Sequence, residues 1–377
     1  MQVKLGYQRE RANGRLWMHS HEGKQINVPQ NIPFRSTLKE AARRLHRLRT
    51  VFHKKAMILV YHRVAEANVD PWALGVSPAH FAQHLQVLKT IANPVSLQDL
   101  IKAKSDRELP PRPVCVTFDD GYADNLYAAK PALESYRVPG TVFITPGYIG
   151  VPEDLWWDEL AKLILDPASR QDEFNLNING YHYAYAFPPE DGEAGGPDPH
   201  SKWRAWEDAP GPRQTAYLTI YGMLVKLPDS EREGALEQLR RGATPYADRR
   251  QHRCLTEEEL RELATGELVE IGAHTLTHPV LADLAPDQQQ HEIGGSKRRL
   301  EALTGRKISS FAYPYGKKNH YTRYTVTTVK ANGFACACSN FGGLVTRSSN
   351  RFTLPRFQPM DWDGDQFAEM VEGWYRE

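Results

Sequence analysis

A chain of 377 residues with 41% hydrophobic and 25% charged residues holds enough apolar material for a sizeable core, which excludes disorder throughout. Lys plus Arg number 47 against 46 for Asp plus Glu, so no global positive field directs the chain to nucleic acid. No apolar run nears the ~20 residues of a membrane span, and the first thirty residues carry no signal-peptide core. Four scattered cysteines give no disulfide framework, and the expected address is cytoplasmic.

Residues 1–34 are polar and loosely patterned. Residues 35–55 depart from the charge balance, with eight Lys or Arg against the single acid Glu40. Leu38, Ala42, Leu45, Leu48 and Phe52 fall near helical spacing there. The segment reads as a basic amphipathic helix that edges the core or lies on an anionic membrane surface. From Met57 onward short apolar runs alternate with helical patterns. The runs are 57–61, 114–118, 141–145, 268–272, 310–313, 334–338 and 354–357. Ser77-Pro78 opens a helix that Asn93-Pro94 closes. Thr256 and Glu259 form a capping box for another, which Gly266 stops, and residues 287–304 form a third ending at Gly305. Strands alternating with helices predict a largely parallel sheet.

The alternation breaks between about residues 167 and 254, which reads as an insertion. Phe174, Leu176 and Ile178 alternate, Asn179-Gly180 follows, and Tyr181, Tyr183, Tyr185 and Phe187 alternate in turn. This is a two-residue hairpin that sets Ile178 opposite Tyr181 and Leu176 opposite Tyr183. Its apolar face is expected to pack on the main domain or to wall a sugar site. Residues 188–202 read as a loop, and 215–227 and 230–241 as helices.

Chemistry-bearing residues gather after the apolar runs, where parallel α/β folds carry their sites. Residues 114–125, VCVTFDDGYADN, set Asp119 and Asp120 at a strand end with Gly121 allowing a tight exit. Alone, Asp-Asp-Gly is also a common turn. Residues 271–281, IGAHTLTHPVL, carry His274 and His278, a spacing that suggests metal ligation or simply a polar helix-entry turn. Pro279 pushes His278 out of the helical region. Residues 311–316, FAYPYG, form a turn that presents backbone N–H groups, and His62 follows the first strand in ILVYHRV. Jointly these strand ends supply a metal site, a base, an oxyanion donor and an acid.

In that order, TFDDG, HTLTH and FAYPYG resemble the first three motifs of the polysaccharide deacetylases (NodB homology, carbohydrate esterase family 4). The resemblance implies a distorted (β/α) barrel over residues 56–377, with the hairpin-plus-helices insertion, behind an N-terminal extension of residues 1–55. It implies Asp119 as catalytic base, Asp120, His274 and His278 as ligands of one divalent ion, and the Tyr315 N–H as oxyanion donor. Zinc is the expected ion, and iron, cobalt or nickel also suit two imidazoles and a carboxylate.

The chain departs from the family pattern twice. Ala312 stands where the third motif usually begins with the arginine that orients the base, and no late Leu-x-His motif supplies an acid. Both gaps resemble the circularly permuted subgroup that acts on poly-N-acetylglucosamine, in which the acid histidine comes first. That resemblance makes His62 the general acid. Arg356 is the candidate replacement arginine, and Asp361 or Asp363 the partner of His62. Trp156 and Trp157 read first as the packed face of a helix and otherwise as a stacking surface for a sugar ring, and Tyr313 is a further candidate for substrate contact. The implied activity is removal of the N-acetyl group from a sugar in a glycan or a glycan precursor, which a cytoplasmic address and the basic segment would make lipid-linked. A non-catalytic glycan-binding or scaffolding member of the fold, or a metal amidohydrolase of a non-sugar amide, are the rival readings.

Overall fold

The computed structural model describes residues 18–19, 25–26, 55–106, 109–168, 170–187, 202–243 and 253–376. The chain divides into two units, residues 1–53 and 54–377. Of the first, Met18–His19 and Gln25–Ile26 pair antiparallel, and the basic segment 35–55 lies outside the described residues except for Lys55.

The second unit is built on a seven-stranded parallel sheet: β1 (Met57–Tyr61), β2 (Pro113–Phe118), β3 (Gly140–Ile144), β6 (Val269–Ala273), β7 (Ser310–Ala312) and β8 (Cys336–Cys338) are neighbours in that order, and the two-residue strand Asn93–Pro94 pairs with β2 off that path. The hairpin strands β4 (Glu173–Ile178) and β5 (Tyr181–Ala186) form a separate sheet. Helices α1 (Pro78–Ile91), α2 (Leu97–Asp106), α3 (Lys130–Tyr136), α7 (Glu257–Leu263), α8 (Pro286–Thr304), α9 (Arg323–Ala331) and α10 (Gly364–Trp374) surround this sheet. The insertion contributes α5 (Pro212–Leu224) and α6 (Asp229–Arg240), and α4 (Trp156–Leu165) precedes it. This is the parallel-sheet half of a (β/α) barrel with its helices outside.

Local chemistry sets the helix ends. The Ser77 side chain accepts from the His80 N–H with Pro78 in the first turn, and Thr256 and Glu259 satisfy each other's backbone groups at the start of α7. Gly305 ends α8 at φ +65°.

Sheet alternation separates two cores. Met57, Leu59, Val114, Val116 and Phe118 join Phe81, Leu85 and Leu88 of α1. Ile58, Cys115, Phe143, Ala312, Cys336, Cys338 and Leu354 form the second cluster, mostly of small side chains. Phe143 fills this space because Gly272 yields it: a Cβ at 272 would stand 2.4 Å from the Phe143 ring and 2.8 Å from Ser310 Oγ.

The apolar run 354–357 is not a full strand. Leu354 bridges Cys338 on β8 and Phe357 bridges Leu59 on β1, both in parallel sense, so the segment joins the sheet's two edges. Pro355 has no N–H to donate, and the chain changes partner strand within four residues, which leaves bridges where a ladder was expected.

The insertion makes a third cluster rather than leaning on the main sheet. Phe174, Leu176 and Ile178 of β4 are buried with Trp156, Leu160 and Ile164 of α4, Tyr217 and Ile220 of α5, and Leu236 and Leu239 of α6. The hairpin register is the expected one, Ile178 opposite Tyr181 and Leu176 opposite Tyr183. Tyr181 is exposed, and Tyr183 and Tyr185 are only half-buried, so the tyrosine strand carries little of that core.

Replacing Gly272 with Ala should overpack the second cluster and cost about 1–3 kcal/mol, read as a lower chemical-denaturation midpoint with an unchanged m-value.

Candidate active site

The exits of β1, β2, β6 and β7 bring the sequence candidates together. Asp119 ends β2, its N–H bonded at 3.0 Å to the Tyr61 carbonyl of β1. Asp120 follows at φ +75°, and Gly121 at φ +86° completes the exit, packed on Ile144. Adjacent acids thereby point to different tasks.

Asp119 is held by Arg356 from the segment that joins the sheet edges. The guanidinium meets the carboxylate through two bonds, Nη1 to Oδ1 at 2.7 Å and Nη2 to Oδ2 at 2.6 Å. Its Nε donates to the Ser339 carbonyl at 2.7 Å and Nη1 also reaches Thr117 Oγ1 at 3.2 Å. Both side chains are buried. Burial alone would raise the Asp119 carboxyl, but Arg356, His274 and His62 hold it down at about 2. The result is an ionised, oriented carboxylate in a dry setting.

Asp120, His274 and His278 offer one ligand atom each within 4.8 Å of one another. Asp120 Oδ1 lies 3.4 Å from both His274 Nε2 and His278 Nε2, and it has no hydrogen-bond partner among the described residues. Ligand atoms about 2.1 Å from a tetrahedral ion stand roughly 3.4 Å apart, so this donor set fits a small divalent cation. Protonation agrees with that use. Burial pushes Asp120 up, yet the neighbouring His274, His278 and His62 leave it below the usual range. Burial drives His278 down to about 3, which keeps it neutral. His274 is pushed down by burial but raised overall by Asp119 and Asp120, the mark of a pocket that favours positive charge. The His274 Nδ1 donates to the Ala312 carbonyl at 2.8 Å, which fixes the tautomer with Nε2 facing Asp120.

Four non-glycine residues of the site adopt left-handed backbone: Asp120, Thr275 (φ +64°), His278 (φ +60°) and Tyr315 (φ +58°). Such residues cost on the order of 1–3 kcal/mol each and persist only where neighbours over-determine them. At His274–His278 the restraint is Glu292 of α8. Its carboxylate accepts from the Leu276 N–H at 2.7 Å, the Thr277 N–H at 3.0 Å and the Thr277 hydroxyl at 2.9 Å. Gly147 donates its N–H to the Leu276 carbonyl at such close range that a Cβ there would collide with it.

His62 follows β1 and is buried, its Nδ1 without a protein partner among the described residues and its carbonyl accepting from Asn125 Nδ2 at 2.9 Å. It is near enough for its charge to lower both aspartates. Tyr315 packs edge-on against His278 with ring centres 4.7 Å apart.

Other expected site residues lie elsewhere. Asp361 accepts from the Ser77 N–H at 2.8 Å and pairs with His80 at 2.7 Å, while Asp363 caps α10 through the Gln366 N–H. Neither orients His62, because each carboxylate satisfies a helix N-terminus. Tyr313 is buried, stacked on Tyr321 and bonded through its hydroxyl to the Phe352 carbonyl, so it presents no face to a substrate. Trp156 and Trp157 are likewise buried, 3% and 5% exposed, packed against Tyr221 and His278 respectively, and form a wall rather than a sugar platform. Glu292 gave no sequence signal, since a glutamate inside a helix reads as solvated surface. Glu292→Ala should strand two loop N–H groups and destabilise the metal-free protein by about 1–3 kcal/mol, measured by thermal or denaturant unfolding.

The polysaccharide deacetylase family model matches residues 106–166 and 236–336, on either side of the insertion. YxkH of Bacillus subtilis is 28% identical over 119 residues, 31% of this chain and 41% of its own length. The poly-β-1,6-N-acetyl-D-glucosamine N-deacetylase of Staphylococcus aureus is 30% identical over 108 residues, 25% of this chain and 37% of its own. The chain thus spans about two fifths of these relatives' length. The fold is shared with a polysaccharide deacetylase from Bacillus cereus, BC0361, at a TM-score of 0.52 and 16% identity over 94% of this chain and 75% of that one. IcaB from Ammonifex degensii gives 0.50 and 18% over 86% and 97%. Ordered motifs, a family-model match over residues 106–166 and 236–336 and a common fold make the polysaccharide deacetylases the family that this chain resembles.

Proposed function

We propose that the chain is a divalent-metal-dependent N-deacetylase that releases acetate from an N-acetylated glycan. The observation that carries this reading is the buried Asp119, ionised and pinned by Arg356, beside the Asp120, His274 and His278 donor set. An ion bound by those three residues, zinc before iron, cobalt or nickel, would lower the pKa of a coordinated water toward ~7 and polarise an amide carbonyl.

The protein's own groups do the rest. Asp119 accepts the proton of the attacking water, and Arg356 keeps both carboxylate oxygens aimed while that proton arrives. The Tyr315 N–H, carried on a left-handed turn against His278, donates to the oxyanion of the tetrahedral intermediate. His62, on the opposite exit from His278, gives a proton to the departing sugar nitrogen. The order of motifs, with the acid histidine ahead of TFDDG and the base-orienting arginine moved to Arg356, supports the permuted poly-N-acetylglucosamine subgroup and so a β-linked N-acetylglucosamine chain as substrate. A non-catalytic role is disfavoured by the presence of base and ligands together.

Acetate release from N-acetylglucosamine oligomers by purified, zinc-loaded protein tests this. Asp119→Asn should abolish turnover while retaining about one equivalent of metal, and His62→Ala should lower kcat by roughly 10²–10⁴-fold. Full turnover by Asp119→Asn would remove the base assignment. Acetate from simple amides but from no N-acetyl sugar would favour the amidohydrolase reading instead.

A further inference from the structure

The two histidines of the donor set are held in different ways. His274 has its Nδ1–H fixed by the Ala312 carbonyl, the usual device by which a second hydrogen bond sets a ligand's tautomer and aim. His278 has no such bond, since its buried Nδ1 finds no partner among the described residues. Its ring is instead packed against Trp157 at 4.7 Å, Tyr315 at 4.7 Å and His274 at 4.9 Å between centres.

Of these neighbours Trp157 is itself tied down. Its indole Nε1 donates to Tyr122 Oη at 2.9 Å, and that hydroxyl donates onward to Asp158 Oδ2 at 2.7 Å. Tyr122 is fully buried and stands two residues beyond Asp120, at the exit of β2. The Arg63 guanidinium lies over its ring at 4.8 Å while paired with Asp124 at 3.1 Å. Trp157 and Asp158 belong to α4, so two hydrogen bonds lock this helix to the strand exit that carries Asp120. The indole cannot swing away from His278 without breaking the first of them.

We propose that Trp157, Tyr122 and Asp158 are positioning residues that hold the His278 imidazole in its ligating orientation in place of the missing hydrogen bond. This deepens the metal-dependent reading and rests on it. Of the two sequence readings of Trp157, helix packing and a sugar platform, its burial selects the first.

Zinc affinity of the full chain by chelator competition, together with the visible absorption spectrum of the cobalt-substituted protein, tests the proposal. Tyr122→Phe and Trp157→Phe should each weaken zinc binding by about 10–100-fold and change the cobalt spectrum. Asp158→Ala should act in the same direction, and Asp158→Asn, which still offers an oxygen to the Tyr122 hydroxyl, should recover most of the affinity. Tyr217→Phe is the control: it lies in the same cluster, where its hydroxyl accepts from Trp72 Nε1 at 2.8 Å, and should leave both readouts unchanged. Should Tyr122→Phe fail to fold, Trp157→Phe carries the test, because it keeps an aromatic ring beside His278 while it loses the indole N–H and the five-membered ring that bears it. Wild-type zinc affinity in Tyr122→Phe and Trp157→Phe, or equal weakening in Tyr217→Phe, overturns the brace while the metal site stands. A wild-type protein that binds no zinc overturns the metal reading and the brace with it.

Discussion

One buried ion pair joins the architecture to the chemistry. Arg356 is fully enclosed, and its guanidinium divides its donors between the Asp119 carboxylate, Thr117 and the Ser339 carbonyl. The segment that delivers it also bridges β8 to β1, so the joining of the sheet's edges and the ionisation of Asp119 depend on the same four residues. Removing one partner of such a pair leaves a buried charge unpaired, at a cost of ~3–5 kcal/mol. The pair is therefore better read as a device that fixes one charge state and one direction than as a source of stability.

The rest of the site is arranged around that fixed carboxylate. Left-handed backbone at Asp120, Thr275, His278 and Tyr315 turns donors inward from strand ends that would otherwise continue into helices. The strain is contained by contacts from outside the loops: Glu292 from α8, Gly147 beneath Leu276, and the Trp157 wall at His278. The insertion matters here, because its core takes in Tyr122, Trp156 and Trp157 and thus reaches the donor set from the side.

What the sequence revealed was local. The Asn179-Gly180 turn dictated the hairpin register, the Thr256 and Glu259 pair dictated a helix start, and strand-end acids and histidines identified the site without any distance. What it hid was tertiary. Asp361 and Asp363 looked like partners for His62 but cap helices, and Tyr313 looked like a site aromatic but faces Tyr321. Trp157 read as helix packing or as a platform for sugar, and it packs on His278. In each case the residue type announced a capacity, and only packing decided which neighbour used it. Arg356 was a candidate because the resemblance left an arginine unaccounted for, and the structure pairs it with Asp119.

We propose that Arg356 orients Asp119 from the edge-joining segment, the role that the resemblance gives to an arginine at position 312. Acetate release by Arg356→Ala, compared with the relocated variant Arg356→Ala with Ala312→Arg at equal metal content, measures this directly. The account predicts that the single variant loses at least ~10²-fold in kcat and that relocation restores a substantial part of it. Wild-type turnover by Arg356→Ala would contradict it.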